Sequence, residues 1–221
     1  MIKVINKAAS GYKRYSVSKL LLPLVLMLLF LCNPAEAKAA LTAREVAQKA
    51  AALVGDKRGV VATFTLTGNG RTTKGTVKTS GSKFTVQLPE ASAWYNGKIL
   101  YSYNPRVNET TMLTPTSQDL VEANPLLYIN NASAYNFSFS PVKRNGKYVV
   151  DLTPVKKNTG IKKITLTVNA STFHPEKISV TAGGGTSVIT VTSFKTGVAI
   201  SSSEFEYPRS KYPKTEIIDL R

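Results

Sequence analysis

From Val60 onward the chain alternates. Val60, Ala62, Phe64 and Leu66 fall on one side of an extended segment, and Val61, Thr63, Thr65 and Thr67 fall on the other. A period of two is the mark of a strand with one face buried. The same pattern predicts strands over 72–79, 83–88, 93–96, 98–103, 109–113, 135–140, 148–153, 163–168, 177–181, 187–194 and 204–207. Gly68-Asn69-Gly70, Asn96-Gly97, Asn145-Gly146 and Gly183-Gly184-Gly185 punctuate them with residues that tolerate positive φ, as tight hairpins require. Ten or more antiparallel strands at this spacing imply a large curved sheet or an open barrel.

Two segments break the alternation. In "TAREVAQKAAALVG", Thr42 and Glu45 form a capping box, Val46, Ala50, Leu53 and Val54 recur at helical spacing, and Gly55 suits the stop. In "SQDLVEANPLLYI", a short helix over 117–129 is divided by Pro125, which cannot continue it. The fold class is therefore mainly β, with a few short helices. No repeat, linker or composition break divides it, so 38–221 reads as one domain.

Residues 1–37 read differently. Lys3, Lys7, Lys13, Arg14 and Lys19 precede the apolar run "LLLPLVLMLLFLC" and the small residues "NPAEAKAA". The run is shorter than the roughly 20 residues of a membrane span and suits a cleaved export signal. Cleavage fits after Ala37 or after Ala39. An uncleaved anchor is the competing reading, and acylation of Cys32 is disfavoured because the bulky Leu31 precedes it. Cutting after Ala37 removes five bases and one acid, lowering the net charge from +16 to +12, and removes the only cysteine. An exported domain without disulfides must be held by its core alone.

Catalytic chemistry is sparse. The one histidine, His174, sits before Pro175 in a predicted turn, where a solvated ring is expected. Without cysteine or a second histidine, the usual N/S zinc site cannot be built. No nucleophile elbow or phosphate loop is present, and the acids are scattered. The expectation is a protein that is not an enzyme and takes no cofactor. Export and the spread of lysines along the strands also argue against nucleic acid as a partner. Those lysines fit two roles, guarding exposed strands against aggregation and attracting anionic lipid or acidic partners.

The stretch "WYNGKILYSYNP" carries a more specific signal. An Asn-Gly-Lys hairpin (Asn96-Gly97-Lys98) returns through Leu100-Tyr101-Ser102-Tyr103 to Asn104-Pro105, followed by "VNETTMLT" and "NPLLYI". With the first helix, "VVATFTLT", "KYVVDLTPVKKNTGIKKITLTVN" and the closing "FEYP" ahead of "EIIDL", this order resembles the periplasmic outer-membrane lipoprotein carrier family of the LolA type. The resemblance implies an open antiparallel half-barrel of about 10–12 strands whose concave face is covered by short helices, with acyl chains held between them. It implies a monomeric periplasmic carrier that takes acylated lipoproteins from an inner-membrane lipoprotein-releasing ABC transporter towards an outer-membrane acceptor. Phe64, Leu66, Phe84, Val86, Trp94, Tyr101, Leu126, Leu127, Ile164, Leu166 and Ile178 are the candidate cavity lining.

Many members of the family have an Arg-Pro before an aromatic residue on the third strand, where the arginine is implicated in lid control. Here the segment is "TSGSKFTV", and Lys83 is a point charge without arginine's planar fork. The arginine's role is not carried over. Two other readings stay open: an exported β-rich structural module with a solid core, and a sensor or carrier of another lipid on the same fold.

Overall fold

Alternation and hairpins assemble into one twelve-stranded sheet. The computed structural model describes residues 40–130, 132–140, 144–156 and 160–221, so the expected signal segment lies outside the described residues. Helix α1 (Ala43–Val54) is followed by a six-strand meander: β1 (Val60–Gly68), β2 (Arg71–Ser80), β3 (Lys83–Leu88), β4 (Ala91–Tyr95), β5 (Leu100–Asn104) and β6 (Glu109–Leu113). Helix α2 (Ser117–Ala123) and a 3-10 helix (Pro125–Ile129) then lead to a second meander. It comprises β7 (Tyr135–Phe139), β8 (Lys147–Pro154), β9 (Ile161–Asn169), β10 (Pro175–Ala182) and β11 (Gly185–Thr196), and a last strand, β12 (Glu216–Asp219), closes the chain.

The spatial order is β12-β6-β5-β4-β3-β2-β1-β11-β10-β9-β8-β7, so the meanders join along β1 and β11, and the sheet stays open between β12 and β7. All pairings are antiparallel except that of β12 with β6. The architecture is an open half-barrel, as the family resemblance implies. Between β1 and β2, Asn69 and Gly70 take φ of 49° and 71°, the two positive values of a type I′ hairpin.

The connection from β6 to β7 decides the layering. It runs from one side of the sheet to the other, and it brings α2 and the 3-10 helix onto the same face as α1. Helix α1 packs on β7, β8, β9 and the 3-10 helix. Its capping box is closed by Thr42 N–H donating to Glu45 Oε2 (2.7 Å) and Glu45 N–H donating to Thr42 Oγ1 (3.2 Å). Gly55 ends it at φ −90°, so no left-handed glycine is needed. Its own Val46 and Ala50, and Leu152, Ile164, Leu166, Val168 and Ile178 of the sheet, are fully buried. Each large aliphatic side chain buried this way contributes about 1.5–3 kcal/mol.

Near the C-terminus one expectation needs correction, and one strand lies outside those expected. Residues 204–207 are not a strand: Ser202–Phe205 is a 3-10 helix on the outer face of β3, where Phe205 is buried and the Glu204 carbonyl accepts the Thr85 hydroxyl. The alternation there is genuine, but it seats Phe205 and Tyr207 on the back of the sheet, and Pro208 removes a ladder donor. Conversely, Ile217 and Ile218 are adjacent rather than alternating, yet they lie in β12 beside Thr110 and Thr111.

Candidate functional site

The strand registers sort side chains onto two faces. Val60, Ala62, Phe64 and Leu66 oppose Thr79, Val77, Gly75 and Thr73. Across β3 to β6 the same side continues through Phe84 opposite Tyr95, Val86 opposite Ala93, Ser102 opposite Thr111 and Leu100 opposite Leu113. This is the helix-covered inner face, and it is unevenly filled. Under α1 it is packed solid. Under α2 it is not: no residue of α2 is fully buried, and only Leu120 and Ala123 press on the core.

A groove of about 330 Å³ runs between α2 and β3–β6, floored by Val86, Leu88, Ala91, Ala93, Leu100, Ser102 and Leu113 and rimmed by Asp119, Glu122 and Ala123. On the other flank of α2, a second hollow of about 390 Å³ is lined by Ser117, Gln118, Val121, Tyr128, Ala134, Tyr135, Val155, Lys156 and Ile161. Volumes of roughly 300–1,000 Å³ with mainly apolar walls are those of small-ligand sites. Burial pushes the Tyr128 and Tyr135 hydroxyls above their ordinary range, with Glu122 adding to the rise at Tyr128, so both phenols are neutral at physiological pH.

The helix between the hollows is held at its ends. Thr116 and Asp119 form a second capping box, with Thr116 N–H donating to Asp119 Oδ2 at 2.7 Å. At the other end Asn124 is fully buried; its N–H donates to Leu120 O (2.9 Å) and its Oδ1 accepts from Leu126 N–H (3.1 Å). Its Nδ2 has no hydrogen-bond partner among the described residues. An unsatisfied buried donor costs about 1–3 kcal/mol, here at the joint between α2 and the 3-10 helix.

The eleven candidate residues separate accordingly. Val86 lines the groove beside α2. Phe64 borders a hollow with Gly75 and Leu88, and Leu66 borders one with Arg71, Glu90 and Arg106. Phe84, Leu126, Ile164, Leu166 and Ile178 are buried in the inner core, and Leu127 packs partly buried against it. Trp94 and Tyr101 are corrected: they pair with each other and with Thr85 and Met112, the outer-face set. There Tyr207 stacks on Tyr101 at 5.4 Å, and Trp94 meets Tyr207 and Tyr212 edge-on at 5.4 and 5.8 Å. The aromatic that faces inward from this hairpin is Tyr95, 5.5 Å from Phe84. Leu88, Ala91, Ala93, Leu100 and Leu113 line the groove without having been singled out from the sequence, although each falls on the period-two series of its strand.

His174 also differs from expectation. Its ring is half-buried against Phe194, with centroids 4.9 Å apart. Among the described residues, no three His, Cys, Asp or Glu side chains gather to hold a metal, and no helix is long and apolar enough to cross a membrane.

An open half-barrel with helix-covered apolar hollows is the class these features define. The family profile described as outer membrane lipoprotein carrier protein LolA matches residues 34–184, and the chain belongs to that family. Comparison with curated proteins found no match. The crystal structure of an uncharacterized conserved protein from Thermus thermophilus shares the fold, with a TM-score of 0.57 at 10% identity over 80% of this chain and 98% of that one. Looser similarity extends to a LolA superfamily protein from Nitrosomonas europaea (TM-score 0.41, 16% identity, 76% and 99% covered). A putative outer membrane lipoprotein-sorting protein domain from Vibrio parahaemolyticus is comparable (0.44, 12%, 74% and 96%).

Proposed function

We propose that the protein is a periplasmic carrier that holds the acyl chains of lipoproteins beneath α2 and shuttles them from the inner to the outer membrane. The observation that carries this reading is the helix α2, which has no fully buried residue and divides two apolar hollows on the inner face. Membership of the lipoprotein carrier family supports it. Moving α2 aside joins the hollows into one trough floored by Val86, Leu88, Leu100 and Leu113. The family's third-strand arginine is absent, so the lid is governed here by its two ends, the Thr116 cap and the unsatisfied joint at Asn124. The chain binds and releases its cargo and does not convert it.

The energetics favour a modest cavity. Each buried methylene is worth about 0.8 kcal/mol against water, so several long chains together would exceed the roughly −20 kcal/mol limit of non-covalent affinity. The carrier never faces that full difference, because its cargo leaves one membrane and enters another. Loading by an inner-membrane lipoprotein-releasing ABC transporter and downhill release to an outer-membrane acceptor require only that the trough be slightly less favourable than the final bilayer.

Native mass spectrometry and lipid extraction test this on Lys38–Arg221, which contains the whole compact unit Leu41–Arg221. Expressed in a bacterium and purified without detergent, it should carry acyl chains or gain one stoichiometric mass with an acylated lipoprotein. Leu113→Asn, at a half-buried floor position, should reduce loading while circular dichroism stays unchanged. A clean mass that ignores acylated peptide would overturn the proposal in favour of a structural module.

A further inference from the structure

The back of the sheet carries chemistry that the trough does not use. After β11 the chain crosses the outer face, and its stretch from Tyr207 to Lys214 holds Arg209, Lys211 and Lys214 with no acid among them. All three are exposed, while Tyr207 and Tyr212 are half-buried. The Tyr207 and Tyr212 rings stack at 5.8 Å, and Tyr212 lies 4.4 Å from Tyr103. The Asn108 side-chain amide donates to the Lys214 carbonyl at 3.1 Å, which fixes the β5–β6 turn alongside. That turn presents Arg106 and Val107, and Val107 is 56% exposed.

Elsewhere Lys78, Lys147 and Lys163 are paired with carboxylates, but Arg106, Arg209, Lys211 and Lys214 are in no ion pair among the described residues. The acids around it are Glu206, which precedes the strap and accepts from the Asn96 side-chain amide at 3.0 Å, Glu90, which borders a hollow with Arg106, and Glu109 and Glu216, which neighbour each other where β12 meets β6. They reduce the local charge without occupying the four bases.

We propose that this basic, aromatic strap docks the protein on the headgroup layer of an anionic bilayer, with Arg106, Arg209, Lys211 and Lys214 against lipid phosphates and Tyr212 and Val107 at the interface. Tyrosine favours that depth because its ring is apolar and its hydroxyl wet. Unpaired bases near an anionic surface add attraction that salt screens. One exposed valine is too little to insert, so docking is reversible. This concerns the face opposite the trough and does not rest on the acyl-chain reading.

The test is vesicle co-sedimentation of Lys38–Arg221, with Trp94, the only tryptophan, reporting from beneath Tyr207 and Tyr212. Vesicles containing phosphatidylglycerol should bind it at low salt, and phosphatidylcholine vesicles should not. The triple variant Arg209→Gln, Lys211→Gln, Lys214→Gln should weaken partitioning roughly 100-fold, three bases each worth ~1 kcal/mol. Lys74→Gln, Lys162→Gln, Lys195→Gln makes the same change in net charge at exposed positions on other strands and should leave partitioning unchanged. Equal loss in both triples, equal binding to both vesicle types, or no binding to the anionic vesicles would overturn the proposal. All variants alter exposed side chains, and matching thermal melts establish that the fold is intact.

Discussion

Replacing Gly75 with alanine should destabilise the sheet, although strand positions ordinarily welcome a side chain. Gly75 faces Phe64 across the β1–β2 ladder. A Cβ built there falls 2.5 Å from Phe64 Cζ, 2.9 Å from its Cε2 and 2.6 Å from Leu88 Cδ2. Leu88 is half-buried at the end of β3, whereas Phe64 is 1% exposed and packed in the core, so its ring resists displacement more than the leucine does. Overpacking of this kind costs about 1–3 kcal/mol, and the lost flexibility of the unfolded glycine offsets about 0.4–1. The net expectation is a loss of ~1–2 kcal/mol. Urea unfolding followed by Trp94 fluorescence reads it as a lower midpoint with an unchanged slope. Phe64→Ala should cost about 3–5 kcal/mol alone, and less by at least ~1 when Gly75→Ala is already present, because the new methyl fills part of the hole. A Gly75→Ala protein as stable as the wild type, or strict additivity of the two changes, would refute the claim that these atoms share one space.

Two further substitutions separate global from local stability. Thr79→Val removes a buried hydroxyl that donates to the Val54 carbonyl at 2.6 Å, tying the β2–β3 hairpin to the end of α1. The stranded acceptor should cost about 1–3 kcal/mol in the same urea titration. Thr116→Ala removes the cap of α2, worth about 1 kcal/mol to that helix, but little else rests on it. Hydrogen exchange should quicken over Ser117–Ala123 with the global midpoint unmoved, and a shifted midpoint would mean that α2 is part of the cooperative core rather than a lid.

What can be read from the chain follows how many environments each strand has. β1 has one buried and one wetter face, so Val60, Ala62, Phe64 and Leu66 stand out against Thr63, Thr65 and Thr67, and both its register and its inner face are legible. Capping in α1 is equally local, because Thr42 and Glu45 need only each other. β4 and β5 are harder because both faces are covered: Ala93, Tyr95 and Leu100 look inward, while Trp94 and Tyr101 look outward onto Tyr207 and Tyr212. Alternation still separates the two sets there, but hydrophobicity no longer says which set faces the trough. The larger rings face away from it.

The partner that settles the choice lies more than a hundred residues away in sequence. Residues 204–207 read as a strand by the same logic that assigns Trp94 to the cavity: an alternating apolar residue implies one sheet and one core. Once Phe205, Tyr207 and Tyr212 are seen to form a second apolar layer on the back of β3–β6, both errors have a single cause. That layer also constrains function. It stiffens the floor of the trough from behind, with Thr85 and Thr110 giving hydroxyls to Glu204 and Tyr207. In the proposed function, movement that admits a ligand is therefore left to α2 on the other face, where the packing is thin and the buried Asn124 amide has no hydrogen-bond partner among the described residues. A wall held on its outer side, and a cover held by its two ends and by Leu120 and Ala123, is the division of labour that the proposed carrier function requires.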